Sequence, residues 1–179
     1  MKVNIAVLLV CLGLIFVGDA AAQKGGTRFT SGYTNLNKSC KVFRGNDGQD
    51  DAALCTGLGG YKIRIYSSAA ATHMVAEKPK TDISIPVATV AISFNENKTT
   101  VEWRMANGKP FAIIIRLPKY GDPTDADPYI GKKIGEALVV IGLDGFTETV
   151  SGSIDAKTPN ANVKARELAD NAYKVAAAK

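Results

Sequence analysis

The segment Val101-Glu102-Trp103-Arg104-Met105-Ala106-Asn107-Gly108-Lys109-Pro110-Phe111-Ala112-Ile113-Ile114-Ile115 reads as two strands and the turn between them. Val101, Trp103 and Met105 alternate with Glu102 and Arg104, the period of a strand with one buried face. Asn107-Gly108 follows, a pair suited to a tight hairpin because both residues tolerate positive φ. Phe111 to Leu117 is then a second apolar run, closed by Pro118. The register follows from which side chains share a face. A two-residue loop would set Trp103 opposite Ala112 and Arg104 opposite Phe111, mixing charge with core on each face. A three-residue loop, Ala106-Asn107-Gly108, sets Trp103 opposite Phe111 and Val101 opposite Ile113. One face is then wholly apolar, and this is the expected register, with Gly108 in the left-handed position of a bulged turn.

Similar patterns extend on both sides. Tyr61, Ile63 and Ile65 alternate with Lys62 and Arg64. Val90, Ile92 and Phe94 alternate with Ala91 and Ser93. Ala137 to Leu143 and Thr147 to Ile154 are two more strands. Asp144-Gly145 marks a second two-residue hairpin, pairing Leu143 with Phe146 and Val139 with Val150. Ala69 to Lys80 fits either a short strand around Thr72 to Val75 or a loop. Gly57-Leu58-Gly59-Gly60 precedes a strand and not a helix, so it reads as a tight turn after Cys55 and not as a phosphate loop.

The tail changes period. Thr158 can cap a helix over 159–178 with Pro159 in its first position. Ala165, Leu168, Ala169, Ala172, Val175 and Ala176 form one stripe at helical spacing. The expected fold is mainly β: an antiparallel sandwich or open barrel with one C-terminal helix packed on it. Residues 40–179 would form a single β-rich domain.

Residues 1–22 read as a secretory signal. Lys2 supplies the positive start, Ile5 to Val17 is an apolar run of 13 residues, and Ala20-Ala21-Ala22 offers small residues for cleavage before Gln23. The run is short for a bilayer span, so no transmembrane segment is expected after cleavage. Cleavage removes Lys2 and Asp19, leaving the net charge at +5, and it removes Cys11. An even pair remains, Cys40 and Cys55, which an oxidising compartment favours as a disulfide. With 46% apolar and 22% charged residues, the chain falls in the ordinary globular range and not among disordered tails.

The surplus charge is concentrated. Between Lys24 and Arg44 stand Lys24, Arg28, Lys38, Lys41 and Arg44 with no acid. Residues 23–39 are Gly-, Thr- and Lys-rich at the start and are expected to form a flexible basic arm. Phe29, Tyr33 and Phe43 are interleaved with these cations, a pattern that can hold polyanions. In an exported protein the partners would be anionic envelope components and not nucleic acid.

Several blocks together resemble an uncharacterised family of small exported bacterial proteins. They are Cys55-Thr56-Gly57-Leu58-Gly59-Gly60-Tyr61, Val101-Glu102-Trp103-Arg104 and Gly108-Lys109-Pro110-Phe111-Ala112. Leu138-Val139-Val140, Ile154-Asp155-Ala156 and Pro159-Asn160-Ala161-Asn162 extend the likeness over roughly residues 40–175. The resemblance implies an exported, periplasmic envelope protein and no assigned activity. Family members often carry a further Cys just before the last strand, where this chain has Thr149 and Val150.

Chemistry is sparse. His73 is the single histidine, which excludes a multi-histidine metal site and leaves few options for a general base. Both mature cysteines are expected to be oxidised, and no Gly-x-Ser-x-Gly elbow exists. Glu102 and Asp155 are candidates for carboxylate chemistry, with Glu102 expected to face solvent. Two acidic loops offer oxygens for Ca²⁺, Asn46 to Asp51 and the set Asp122, Asp125 and Asp127, but neither has EF-hand spacing. No cofactor is expected. The leading reading is a non-enzymatic binding or structural module of the cell envelope. The alternative is an inhibitor of an exported hydrolase such as a lysozyme-like enzyme, with Asp122, Asp125 and Asp127 as its contact.

Overall fold

A computed structural model describes residues 26–43, 52–67, 71–90, 99–125 and 131–178. The expected signal segment, Lys24, Arg44, Asp127, the acidic loop at 46–51 and most of the strand expected at 90–94 lie outside these residues.

Ten strands and two helices run in the order β1 (Phe29–Asn35), α1 (Leu36–Ser39), β2 (Cys40–Phe43), β3 (Ala52–Thr56), β4 (Lys62–Ser67), β5 (Thr72–Glu77), β6 (Ser84–Val90), β7 (Thr100–Ala106), β8 (Lys109–Tyr120), β9 (Lys133–Gly142), β10 (Ser151–Asp155) and α2 (Ala161–Ala177) among the described residues. They form two antiparallel sheets of five strands, β1-β7-β8-β9-β10 and β2-β3-β4-β5-β6, which do not close into a barrel. The second sheet is a simple meander. The segment open between strand and loop is strand β5.

Three layers result. Ile63, Ile65, Met74 and Val87 of the meander meet Val101, Trp103, Ile113 and Ile115 of the first sheet in one core. The opposite face of the first sheet packs on α2 through Phe111, Ala112, Ile114 and Val140 against Ala161, Ala165 and Ala169. Phe111 to Ile115 are therefore buried in succession, as in a strand covered on both sides.

That double burial corrects the hairpin register. The loop is Asn107-Gly108 alone, both residues with positive φ, and Ala106 pairs with Lys109. Trp103 pairs with Ile113 and Val101 with Ile115. A bulge makes the difference: Met105 faces Pro110 and Arg104 faces Ala112, leaving Phe111 as the extra residue. Proline has no N–H to give the ladder, so a bulge is a natural place for it. Phe111 points to the helix side, where its ring meets Phe29, Phe146 and Tyr173.

The hairpin expected at Asp144-Gly145 is also corrected. Val139 pairs with Ser153 and not with Val150, and residues 144–149 form successive turns. Phe146 folds back on Gly142, whose missing Cβ leaves room for the Phe146 carbonyl. Leu143 consequently enters the core between the sheets while Phe146 joins the helix-side core.

The flexible arm expected over 23–39 is, from Phe29 onward, part of the fold. β1 pairs with β7 along its whole length, from Phe29 opposite Ala106 to Asn35 opposite Thr100. Thr34 is buried and its Oγ1 accepts the Trp103 Nε1–H at 2.9 Å. Asn35 caps the short α1, and the backbone then crosses to the meander.

Helix α2 starts later than its sequence suggests. Asn160 has φ of 58°, a left-handed residue that keeps Pro159 out of the helix, so neither Thr158 nor Pro159 plays the expected part. The stripe is confirmed at Ala165 and Ala169. Val175 departs from it, 63% exposed, and Tyr173 packs in its place. The small side chains allow close approach: a Cβ on Gly152 of β10 would lie 2.8 Å from Leu168.

Candidate functional site

Cys40 and Cys55 are joined by a disulfide, directly opposite each other on β2 and β3. The bridge closes a loop of sequence separation 15. Its contribution is about 3 kcal/mol by chain entropy. It also anchors an edge strand of only four residues.

The described ones among the predicted cations, Arg28, Lys38 and Lys41, do not form one cluster. Arg28 sits at the Asn107 turn, where the Asn107 side chain accepts its backbone N–H. Lys38 lies beyond the far end of β1, about 20 Å away by strand rise. Lys41 is exposed on β2 in the other sheet. The interleaved aromatics separate too, because Phe29 is packed on Phe111 and Tyr173. Asp122 and Asp125 are exposed after β8. Among the described residues, no group of three His, Cys, Asp or Glu side chains is placed to hold a metal ion.

Glu102 does not face solvent. It is 8% exposed and turned toward α2, where Arg166 donates to both its oxygens at 2.6 and 3.2 Å. The Ser31 hydroxyl donates to the same carboxylate. Arg104 grips Asp170 with two hydrogen bonds of 2.7 and 2.6 Å and donates to the Ser31 hydroxyl oxygen. Two Arg–carboxylate forks are thus linked through one serine, a charge-balanced clasp between the sheet and the helix. The bond to Glu102 raises the Arg166 pKa further. His73 lies on the outer face of the meander, its ring stacked on Tyr66 and its Nδ1 3.2 Å from Thr89 Oγ1. Glu102 and His73 therefore sit on opposite outer faces of stacked sheets, too far apart for hydrogen bonding. Asp155 is exposed and engaged by Lys119 and by the Lys157 backbone N–H.

Three recesses can be compared by their charges. The first, about 480 Å³, lies where the turns at Gly59, Gly108 and Asp144 meet Tyr173. Its lysines, Lys78 and Lys109, face one acid, Asp144, and Lys78 already stands over the Tyr61 ring at 5.6 Å. The second, about 340 Å³, is on the helix side and holds Arg116 and Arg166. Those cations are paired with Glu136 and Glu102. The third is a dent of about 170 Å³ on the outer face of the meander, beside the disulfide. Lys41 and Lys62 line it with Phe43, Leu54 and Thr56, and among the described residues no acid does. Neither lysine has an ion pair among the described residues.

The dent is the best candidate for an anion. Sequence spacing places Lys62 on the outer set of its strand. It does not reveal Lys62 as a neighbour of Lys41, because that depends on the pairing of β2, β3 and β4. Arg166 and Asp170 carried no local signal of their partners either.

The first recess makes a separate, pH-dependent expectation. Burial raises the Tyr61 phenol above its ordinary value of 10.0, an effect partly offset by a hydrogen bond from the Asp144 backbone. The folded state then holds a proton that the unfolded state releases. Stability should be unaffected by this group below pH 10 and should fall as pH rises past it. Urea midpoints measured across that range should decline less steeply in Tyr61→Phe than in the parent. Parallel curves would remove Tyr61 as a cause.

No protein-family model matches the chain, and neither a curated protein nor a solved structure does.

Proposed function

We propose that this chain is a non-enzymatic binding module of the cell envelope, exported to the periplasm, with an anionic envelope component as its ligand. The dent lined by Lys41 and Lys62 carries the reading, since among the described residues its charges are not spent on internal pairs. The Cys40–Cys55 disulfide is in keeping with an oxidising compartment. No helix among the described residues is long and apolar enough to cross a membrane.

Fractionation of cells expressing the full chain tests it. The protein should sediment with the envelope at low salt, leave it at high salt, and begin at Gln23 by mass spectrometry. Ionic release is expected because exposed charge contacts are screened within about 10 Å at 0.1 M salt. Recovery in the cytosol with Met1 or Lys2 as its first residue would sink the export reading. Recovery in the periplasm without salt-sensitive sedimentation would sink the ligand.

A further inference from the structure

No described helix or strand packs on the outer face of the meander, whereas the outer face of the other sheet carries α2. Strand register arranges it in rows. One row runs Phe43, Ala52, Tyr66, His73 and Thr89 across β2 to β6. The next runs Lys41, Leu54, Arg64 and Val75, and Thr56, Lys62 and Glu77 follow. Rows of this kind are about 7 Å apart along the strands.

The aromatic row has a gap. Phe43 is 54% and Tyr66 38% exposed, and they sit two strands apart, about 10 Å. Ala52 stands between them with a single methyl. His73 occupies one face of the Tyr66 ring, at 5.0 Å between centroids. The register thus sets an exposed aromatic residue on each side of a small one. On the adjoining rows, Glu77 binds Arg64 through both oxygens, at 2.6 and 3.0 Å. That acid is thereby neutralised, and among the described residues no acid pairs with Lys41 or Lys62.

We propose that this face binds acidic polysaccharide. A sugar ring would lie over Ala52 between Phe43 and Tyr66, and its chain's carboxylate or phosphate groups would reach Lys41 and Lys62. Sugar rings present C–H faces that pack on aromatic π-systems, and their acidic substituents need cations beside that contact. An anionic membrane fits less well. Phe43 and Tyr66 are the large exposed apolar side chains described on this face, too few for one that inserts among lipids. The proposal rests on the envelope-binding reading and gives that site its ligand class.

Calorimetric titration with polygalacturonate, neutral dextran, and vesicles of anionic phosphatidylglycerol tests it on the full folded chain. Polygalacturonate should bind and dextran should not. Phe43→Ala and Lys62→Glu should each weaken the binding about tenfold, the worth of one lost ring or charge contact. Lys164→Glu, an equal charge change on the exposed side of α2, should leave it unchanged. All three positions are exposed, and unchanged melting curves would show that the fold is retained. Equal weakening by Lys62→Glu and Lys164→Glu would reduce the effect to net charge and overturn the site. Vesicle binding lost in Phe43→Ala, with no polygalacturonate binding, would overturn the ligand class in favour of lipid. Absence of polygalacturonate binding while salt-sensitive envelope sedimentation persists would overturn this inference alone. Absence of both would overturn the broader reading with it.

Discussion

Trp103→Ala should destabilise the fold by about 4 kcal/mol, near the top of the range for single core truncations. Trp103 is fully buried and is one of the largest side chains between the two sheets. Its ring meets Tyr61 at 5.9 Å between centroids. It also lies against Gly57, where an added Cβ would come within 2.6 Å of Trp103 Cζ2. Truncation therefore leaves a cavity walled by rigid backbone on one side. It also removes the indole N–H from Thr34, a buried residue of β1. Urea unfolding followed by circular dichroism will measure the loss. A change below about 1 kcal/mol would mean that the sheets close over the gap, contrary to the packing described. Gly57→Ala should act in the same direction, since the ring and the Tyr61 carbonyl both stand in the way of the new methyl.

The second large effect belongs to the clasp under α2. Arg104→Leu should cost about 3 kcal/mol, because it leaves Asp170 charged, mostly buried and without its fork. Asp170→Leu should cost a similar amount for the converse reason. The double substitution should cost clearly less than their sum, since neither charge is then stranded. A coupling of at least about 1 kcal/mol in the double-mutant cycle is expected. Strict additivity would show that the two groups do not depend on each other. The side chain of Arg104 also touches Ser31 and lies 5.7 Å from the Phe29 ring, so part of each single effect will pass to β1.

The hairpin at Asn107-Gly108 was legible because periodicity and turn chemistry are local. Its register was not. The argument from one apolar face presumes one buried face, and β8 has two. The bulge at Phe111 is set by Pro110 and by what lies above and below the strand, neither of which appears in an alternating pattern. β1 was missed for a different reason. Phe29-Thr30-Ser31-Gly32-Tyr33-Thr34-Asn35 has little apolar alternation, and its order comes from the ladder with β7 and from Thr34 beneath the indole. The run of Thr and aromatic residues was the one available hint, through β-propensity. Glu102 was placed on the solvent side because a charged residue next to Trp103 must take the opposite face. That inference was sound, but the opposite face is covered by a helix carrying Arg166 from 64 residues away.

The candidate site divides the same way. Cys40 and Cys55 could be paired from composition and compartment. Lys41 was visible as part of a basic run, yet its structural neighbour is Lys62 and not the other cations of that run. Charge clustered in sequence was spread over two sheets, and charge dispersed in sequence was gathered by strand pairing.

The five consecutive buried residues of β8 have a further consequence. This strand is at once the floor of one core and the ceiling of the other. Peeling α2 away uncovers Ile114, and opening the sheets uncovers Ile113 and Ile115. Neither core can be dissolved without stripping the same short run of backbone. Helix, sandwich and clasp are therefore expected to unfold together, in one transition.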